Sequence, residues 1–209
     1  CRPATGYLGT TLYWMQRTSC LPPRGKACFI VDLFAAVLTG SAVQTDPTNA
    51  GGSGLLNLAN RQWDVQALEL LEIERRWLPD ICEAPTLAGG LNDQSAAFTS
   101  LPRGLPVMVG IGDNQAAFLG SVADRSESIL VNVGTGGQVA MYSDEVLTVP
   151  RLETRPFPGT GNLLVHAGLC GGRSYAALEL FFREVGTQVL GVEQALANRK
   201  AGRIDANSM

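Results

Sequence analysis

Apolar residues recur along much of this chain at the spacing that places them on one face of a helix. Leu8, Leu12 and Met15 follow this spacing near the start, and Leu68, Leu71 and Ile73 suggest a second apolar face further on. Such periodicity is typical of amphipathic helices. It predicts helices over 4–16, 29–40, 65–77, 93–100, 114–120, 175–185 and 192–199.

Shorter apolar runs, rich in β-branched residues and bounded by glycine or proline, are typical of strands. They predict strands over 55–58, 106–109, 129–133, 138–142 and 161–167, and the strand over 106–109 is expected to be buried. Residues 105–137 then combine strand, turn, helix, loop, strand and turn, so we expect an α/β fold. Both turns follow strand ends, where open α/β sheets usually bind ligands.

The first of these turns leads into the helix over 114–120. Gly110 and Gly112 permit a tight, closely approached turn, and Asp113 stands where the helix begins. An aspartate here is either an N-cap that accepts hydrogen bonds from free backbone N–H groups or a general base. The sequence alone leaves both interpretations open.

The second turn, Gly134-Thr135-Gly136-Gly137, has two interpretations as well. Such a turn is either a simple hairpin or a nest of backbone N–H groups that binds an anion such as phosphate. A dinucleotide-binding oxidoreductase is disfavoured, because Gly110-Ile111-Gly112 lacks the third glycine of that fingerprint. Asp113 would also repel a pyrophosphate.

Composition narrows the possible partners of the chain. Its 209 residues are 45% hydrophobic and 17% charged, with a net charge of −3 and no basic run, which argues against nucleic acid. Asp32 interrupts the longest apolar stretch, which is too short to cross a membrane. Five scattered cysteines without a C-x-x-C pair, and His166 as the single histidine, argue against a zinc site. Reduced thiols favour a cytoplasmic enzyme.

The order GIGDNQAAFLG and then VNVGTGG resembles the sugar kinases of the FGGY family. The resemblance implies an actin/hexokinase-like (ribonuclease H-like) two-domain ATPase fold that phosphorylates a sugar with ATP and Mg²⁺. It makes Asp113 the catalytic base and a substrate ligand, together with Asn114. The nucleotide phosphates would lie at the second turn, on Gly134, Thr135 and Gly136, and at a later glycine turn over 168–174, on Gly171 and Gly172.

Other segments extend the resemblance over nearly the whole chain. Residues 29–40 resemble the family's helix that ends in Leu-Thr-Gly, and QTDPTNA at 44–50 resembles a segment beside its substrate cleft. The pattern T-G-x-x-x-x-T-x-x-W over 5–14 is similar to the sedoheptulokinase branch. The resemblance therefore implies a ketose substrate, sedoheptulose first and xylulose second.

Two motifs of the family are not found in the chain: the opening D-x-G-T-[ST] hairpin and a late glycine-rich adenosine motif. We therefore expect an internal fragment, incomplete at both ends and inactive alone. Residues 1–128 would belong to the sugar-binding N-terminal domain and 129–209 to the nucleotide-binding C-terminal domain. The alternative is a catalytically inactive actin-like fragment or interaction module, and a homodimer is left open.

Overall fold

The computed structural model describes residues 6–189, which divide into two compact units. The first unit contains the residues up to Leu130 together with Val139–His166, and the second contains Val131–Gln138 and the residues from Ala167 onward. The predicted division at 128/129 concerns the two domains of the family and stays a prediction. The predicted helix over 192–199 lies outside the described residues.

Helices form at most of the positions that the apolar spacing predicts. Their bounds are α1 Leu8–Arg17, α2 Ile30–Thr39, α3 Pro47–Gly51, α4 Val65–Leu70, α5 Asp93–Thr99, α6 Asp113–Ser121 and α7 Gly172–Glu184, with a 3₁₀ turn at Arg75–Trp77 and a π-helical turn at Val185–Val189. No described helix has the length and apolar composition that a membrane crossing requires.

The strands form one larger sheet and three small pairs. Their bounds are β1 Gln44–Thr45, β2 Leu56–Asn57, β3 Gln62–Trp63, β4 Asp80–Ile81, β5 Leu87–Gly90, β6 Pro106–Met108, β7 Ile129–Val133, β8 Gly136–Ser143, β9 Glu153–Pro156 and β10 Asn162–Cys170. Strand β1 pairs with β4 in parallel, while β2–β3 and β5–β6 are antiparallel. The larger sheet has the order β7-β8-β10-β9, and β9 pairs antiparallel with β10.

The core of the first unit forms where α1, α3 and α4 meet the β2–β3 hairpin. Its members share near-complete burial and apolar side chains: Leu12, Ala50, Leu55, Trp63, Leu68, Ile73 and Leu78. The indole N–H of Trp63 is satisfied by the Pro79 carbonyl at 2.8 Å. The ring is therefore buried without leaving its N–H donor unpaired.

The predicted helix over 65–77 is wrong in its second half. Helix α4 ends at Leu70, and Glu72 adopts a left-handed conformation with φ 57°. The Ile73 N–H donates to the Leu68 carbonyl (2.9 Å) and the Glu72 N–H to the Glu69 carbonyl (3.1 Å), which is the Schellman pattern. Ile73 and Leu68 both lie in the core, so the reversal of the chain at Glu72 keeps the two apolar side chains together.

Helix α2 has the predicted ends. Gly40 follows it with φ 74°, the left-handed conformation that glycine tolerates at a helix C-terminus. Asp32 lies in the first turn and is fully buried, where its Oδ2 accepts a hydrogen bond from the Phe29 N–H at 3.1 Å. This hydrogen bond gives Asp32 a structural role at the start of the helix.

Strand β6 differs from the expectation of burial, and the neighbouring strand β7 in the chain is exposed as well. Only Val109, just beyond β6, is buried, whereas Met108 is 45% exposed. In β7, the side chains of Ile129, Val131 and Val133 are each more than 60% exposed. These apolar runs do form strands, but neither strand is enclosed by the described part of the chain.

Candidate active site

Helix α6 begins at the end of the first glycine turn, and Gly112 is its N-cap residue. The Ala116 N–H donates to the Gly112 carbonyl at 2.9 Å, and Asp113 is the first residue of the helix. The Asp113 carboxylate accepts from the adjacent Asn114 N–H at 2.6 Å. The interpretation of Asp113 as the N-cap is therefore wrong, and its exposed carboxylate has only this local contact in the described structure.

The glycines of this turn are required by close approach. A Cβ on Gly110 would lie 2.1 Å from Cγ2 of Val31 in α2, and one on Gly112 would lie 2.5 Å from Oε1 of Gln115. Contacts that short do not occur between real atoms, so a side chain at Gly110 would displace either Val31 or the turn, and one at Gly112 would displace the end of the Gln115 side chain. The turn that carries Asp113 is thus pressed against α2.

Helix α3 approaches the same turn from another direction. The QTDPTNA segment supplies the helix and its cap, since the Asp46 carboxylate accepts from the Thr48 N–H at 2.7 Å. The other Asp46 oxygen accepts from the Ala84 N–H at 2.9 Å. These bonds account for the aspartate of this segment as a helix-capping residue.

Asp113 opens into a cleft of about 880 Å³ within the first unit. Asn114, which is 92% buried, and Gln115 line the cleft beside it. Apolar walls come from α2 and from the segment 146–152, while Glu153 and Arg155 of β9 contribute a charged pair at 2.7 Å. A concave site with apolar walls and a few polar groups is the usual form of a small-molecule site.

Two buried carboxyl groups lie in the segments that support the cleft. The pKa of Asp32 is raised to about 6, mainly by burial and to a smaller extent by the negative charge of Asp46, against the opposing effects of the Phe29 N–H and the Thr45 hydroxyl. Burial likewise raises the pKa of Asp46 against its hydrogen bonds from Thr48 and Ala84. Both groups belong to the frame of the site, since both are fully buried.

The second glycine turn is a tight hairpin loop between β7 and β8. Strand β8 starts at Gly136, so only Gly134 and Thr135 lie outside the strands. Thr135 is exposed, and no residue among 6–189 is hydrogen bonded to its N–H or hydroxyl. These two donors are what the turn offers to an anion.

The third glycine pair, Gly171-Gly172, packs directly on this hairpin within the second unit. The Gly172 N–H donates to the Gly134 carbonyl (2.8 Å), and the Arg173 N–H donates to the Thr135 carbonyl (3.1 Å). The Ser174 N–H turns back to the Gly171 carbonyl at 3.0 Å. The N–H groups of Gly172, Arg173 and Ser174 at the start of α7 are therefore already hydrogen bonded, and phosphate binding by Gly171 and Gly172 stays a prediction.

His166, the single histidine, has a structural contact. Its Nδ1 lies 2.9 Å from the Arg151 carbonyl oxygen, and the ring is partly buried at the end of the first unit. No group of three or more His, Cys, Asp or Glu side chains that could hold a metal ion occurs within residues 6–189.

The sequence did not reveal every residue of the cleft. The β9 side chains were missed because Glu-Thr-Arg-Pro has no apolar alternation and lies in a proline-rich connection. Tyr7 and Arg155 carried no motif signal, although both line the cleft. Pairing of β9 with β10, a tertiary contact, brings Arg155 to the cleft.

Comparisons with known proteins give one consistent family. Residues 4–120 match the N-terminal domain of the FGGY family of carbohydrate kinases. The autoinducer-2 kinase of Escherichia coli (strain K12) is 34% identical over 149 residues, which cover 70% of this chain and 28% of that protein. That of Klebsiella pneumoniae is 33% identical over 129 residues, 62% of this chain and 24% of that protein.

Solved structures show the same fold. A xylulose kinase from Rhodospirillum rubrum superposes with a TM-score of 0.77 at 24% identity, over 94% of this chain and 41% of that one. A ligand-bound xylulose kinase from Lactobacillus acidophilus gives 0.71 at 25% identity, over 77% of this chain and 34% of that one.

The chain spans about a quarter of the length of the curated relatives it matches. Its α/β fold is part of the actin/hexokinase-like fold of these kinases, as predicted. The match covers the turn with Asp113 and the helix that follows it, and the predicted family is confirmed. The chain belongs to the FGGY family of carbohydrate kinases.

Proposed function

We propose that the protein transfers a phosphoryl group from ATP to a primary hydroxyl of a sugar, with Asp113 as general base. The observation that carries this proposal is the exposed Asp113 carboxylate, which does not cap its helix and opens into a cleft of about 880 Å³. Phosphoryl transfer depends mainly on positioning and charge stabilisation. A carboxylate on a fixed turn meets the first of these needs.

In this mechanism Asp113 accepts the proton of the attacking hydroxyl. The Asn114 N–H, 2.6 Å from the carboxylate, orients the acceptor oxygen. The Asn114 side chain lies at the wall of the same cleft and would contact the sugar. The cleft is otherwise lined by enough apolar surface to exclude part of the water around the reacting hydroxyl.

ATP would supply the transferred phosphoryl group, and Mg²⁺ would neutralise its developing charge. In the second unit, Thr135 fits a phosphate, because its N–H and hydroxyl are exposed and unused among residues 6–189. Gly134 and Gly136 flank it without side chains. Gly171 and Gly172 fit less directly: their part is to hold the hairpin, since the Gly172 N–H is already bonded to Gly134.

A ketose remains the proposed substrate, with sedoheptulose and xylulose as candidates. The resemblance of residues 5–14 to the sedoheptulokinase branch supports the first. The similarity to xylulose kinases supports the second, and the relatives named autoinducer-2 kinases add a further compound to test. A cytoplasmic location and a homodimer stay predictions from the sequence.

The test is Asp113→Asn in the full-length protein, assayed for ATP consumption against a panel of sugars that includes these three compounds. Asparagine keeps the size of the side chain and an oxygen that can accept from Asn114, but it cannot take a proton. Turnover should fall by at least about 100-fold, the usual scale of general-base contributions, with little change in melting temperature. The matched control is Ser121→Ala, because Ser121 is an exposed residue of the same helix at its opposite end.

Near-normal turnover of Asp113→Asn at saturating sugar and magnesium ATP would overturn the mechanism. A wild-type protein that consumes no ATP with any sugar of the panel would instead favour the inactive actin-like alternative.

A further inference from the structure

We infer that Thr48 and Asn49 are positioning residues, which hold the turn before Asp113 in the geometry that proton transfer requires. This inference rests on the proposed function, since it assigns the two residues to the base of that reaction. Neither residue is hydrogen bonded to Asp113 in the described structure. Both act on the backbone that carries it, from a helix more than 60 residues earlier in the chain.

The first contact fixes the residue directly before the base. The Gly112 N–H donates to Oγ1 of Thr48 at 2.7 Å. Thr48 is 94% buried, so little water competes for this bond. Because Gly112 is the N-cap residue of α6, the bond also fixes where the helix starts and how the Asp113 side chain leaves it.

The second contact fixes the other end of the same turn. Nδ2 of Asn49 donates to the Gly110 carbonyl at 2.9 Å. The threonine hydroxyl accepts and the asparagine amide donates, so the two side chains bind complementary groups at the two ends of the three-residue turn. A turn held at both ends has little freedom to shift the carboxylate that follows it.

The helix that supplies these contacts is itself anchored. Asp46 is fully buried, and its two oxygens accept from the Thr48 N–H and from the Ala84 N–H of a distant segment. On the other side, Gln115 in the first turn of α6 donates to the Pro156 carbonyl at 2.8 Å. The base thus stands between two fixed supports in the first unit.

Such support matters because a general base works only within hydrogen-bond reach of the proton it accepts. A displacement of about 1 Å can cost on the order of 100-fold in rate. A purely structural role for the two residues predicts a different result, in which stability falls and turnover per folded molecule does not.

The experiment uses Thr48→Val in the full-length protein, with Thr48→Ser as its matched control. Valine has nearly the shape of threonine but no acceptor for the Gly112 N–H. We expect kcat to fall by about 10- to 100-fold with a KM for ATP within about twofold of wild type, and Thr48→Ser to restore most of the turnover.

A double mutant distinguishes action through the base from an independent effect. If Thr48 acts through Asp113, Thr48→Val should have almost no further effect on kcat in the Asp113→Asn background. Full additivity of the two changes, or a wild-type kcat for Thr48→Val while Asp113→Asn is inactive, would overturn the positioning role and leave the proposed function standing.

Asn49→Ala provides a second variant if Thr48→Val does not fold, with the same expected fall in kcat. If neither variant folds, the two residues are required for the fold itself and the positioning role is overturned. An inactive wild-type protein on the whole sugar panel, by contrast, is a failure of the proposed function.

Discussion

Asp32 shows how a single buried side chain connects the frame of the site to pH. It is fully buried, and its pKa is raised from 3.8 to about 6. A carboxyl whose pKa is higher in the folded state binds its proton more tightly there. Its contribution to the free energy of unfolding is therefore most favourable at low pH and declines as the pH rises from about 4 through 6.

Asp32→Asn should remove this pH dependence, because the amide is neutral throughout and keeps an oxygen for the Phe29 N–H. Relative to wild type, we expect the variant to gain on the order of 2–3 kcal/mol in free energy of unfolding between pH 4 and pH 7. Urea unfolding of the chain, followed by tryptophan fluorescence, measures the difference at both pH values. Asp46 is present in both proteins, so its own titration largely cancels. An equal difference at the two pH values would contradict the prediction.

At the scale of elements, the sequence predicted those helices and strands whose ends are determined by residues close to them in the chain. The apolar spacing and Gly40 place α2, and the apolar run over 129–133 places β7 with its observed bounds. The end of α4 was not predictable in the same way, because a glutamate, Glu72, takes the left-handed position where glycine is usual. Strand β9 exists only through its pairing with β10.

In the candidate site, too, features set by a local motif were predictable from the sequence, and features set by distant residues were not. The two glycine turns and Asp113 were visible because their spacing forms a motif. The role of Gly112 as N-cap residue was not visible in the sequence, because the Gly112 N–H is held by the Thr48 hydroxyl, 64 residues away in the chain. The occupied N-terminus of α7 was not either, since the carbonyls that fill it belong to the hairpin at Gly134 and Thr135.

Gly171 provides the test of how α7 and the hairpin are joined. A Cβ at this position would lie 2.5 Å from the Gly136 carbonyl carbon and 2.7 Å from its oxygen. Backbone atoms cannot move aside cheaply, so Gly171→Ala should separate the two elements and destabilise the second unit by roughly 1–3 kcal/mol. Hydrogen exchange of the α7 amides in the full-length protein measures the loss.

Gly136→Ala is the control for this prediction, since the nearest atom to its added Cβ is the Leu169 oxygen at 3.9 Å. It should leave the exchange of α7 close to that of wild type. Equal protection of the α7 amides in both variants and in wild type would mean that the close contact of Gly171 with Gly136 does not join the helix to the hairpin.

At the scale of the whole molecule, the two units differ in how many of their side chains are buried. The first unit contains a buried core and the cleft beside Asp113. In the second, α7 has no buried residue. Among the residues described, the N–H groups of Gly172 and Arg173 at the start of α7 already have partners, whereas the N–H and hydroxyl of Thr135 have none.

Residues 1–209 produced alone should therefore bind magnesium ATP only weakly, with a Kd above about 1 mM. Anion nests bind phosphate through several converging backbone N–H groups, and one turn with two free donors does not supply them. Calorimetry of the chain alone measures the binding. A cooperative urea transition, reported by the buried Trp63 and Trp77, shows that the sample is folded. Tight, magnesium-dependent binding by the folded chain would mean that the second unit has donors in another arrangement, and the assignment of Thr135 would have to be withdrawn.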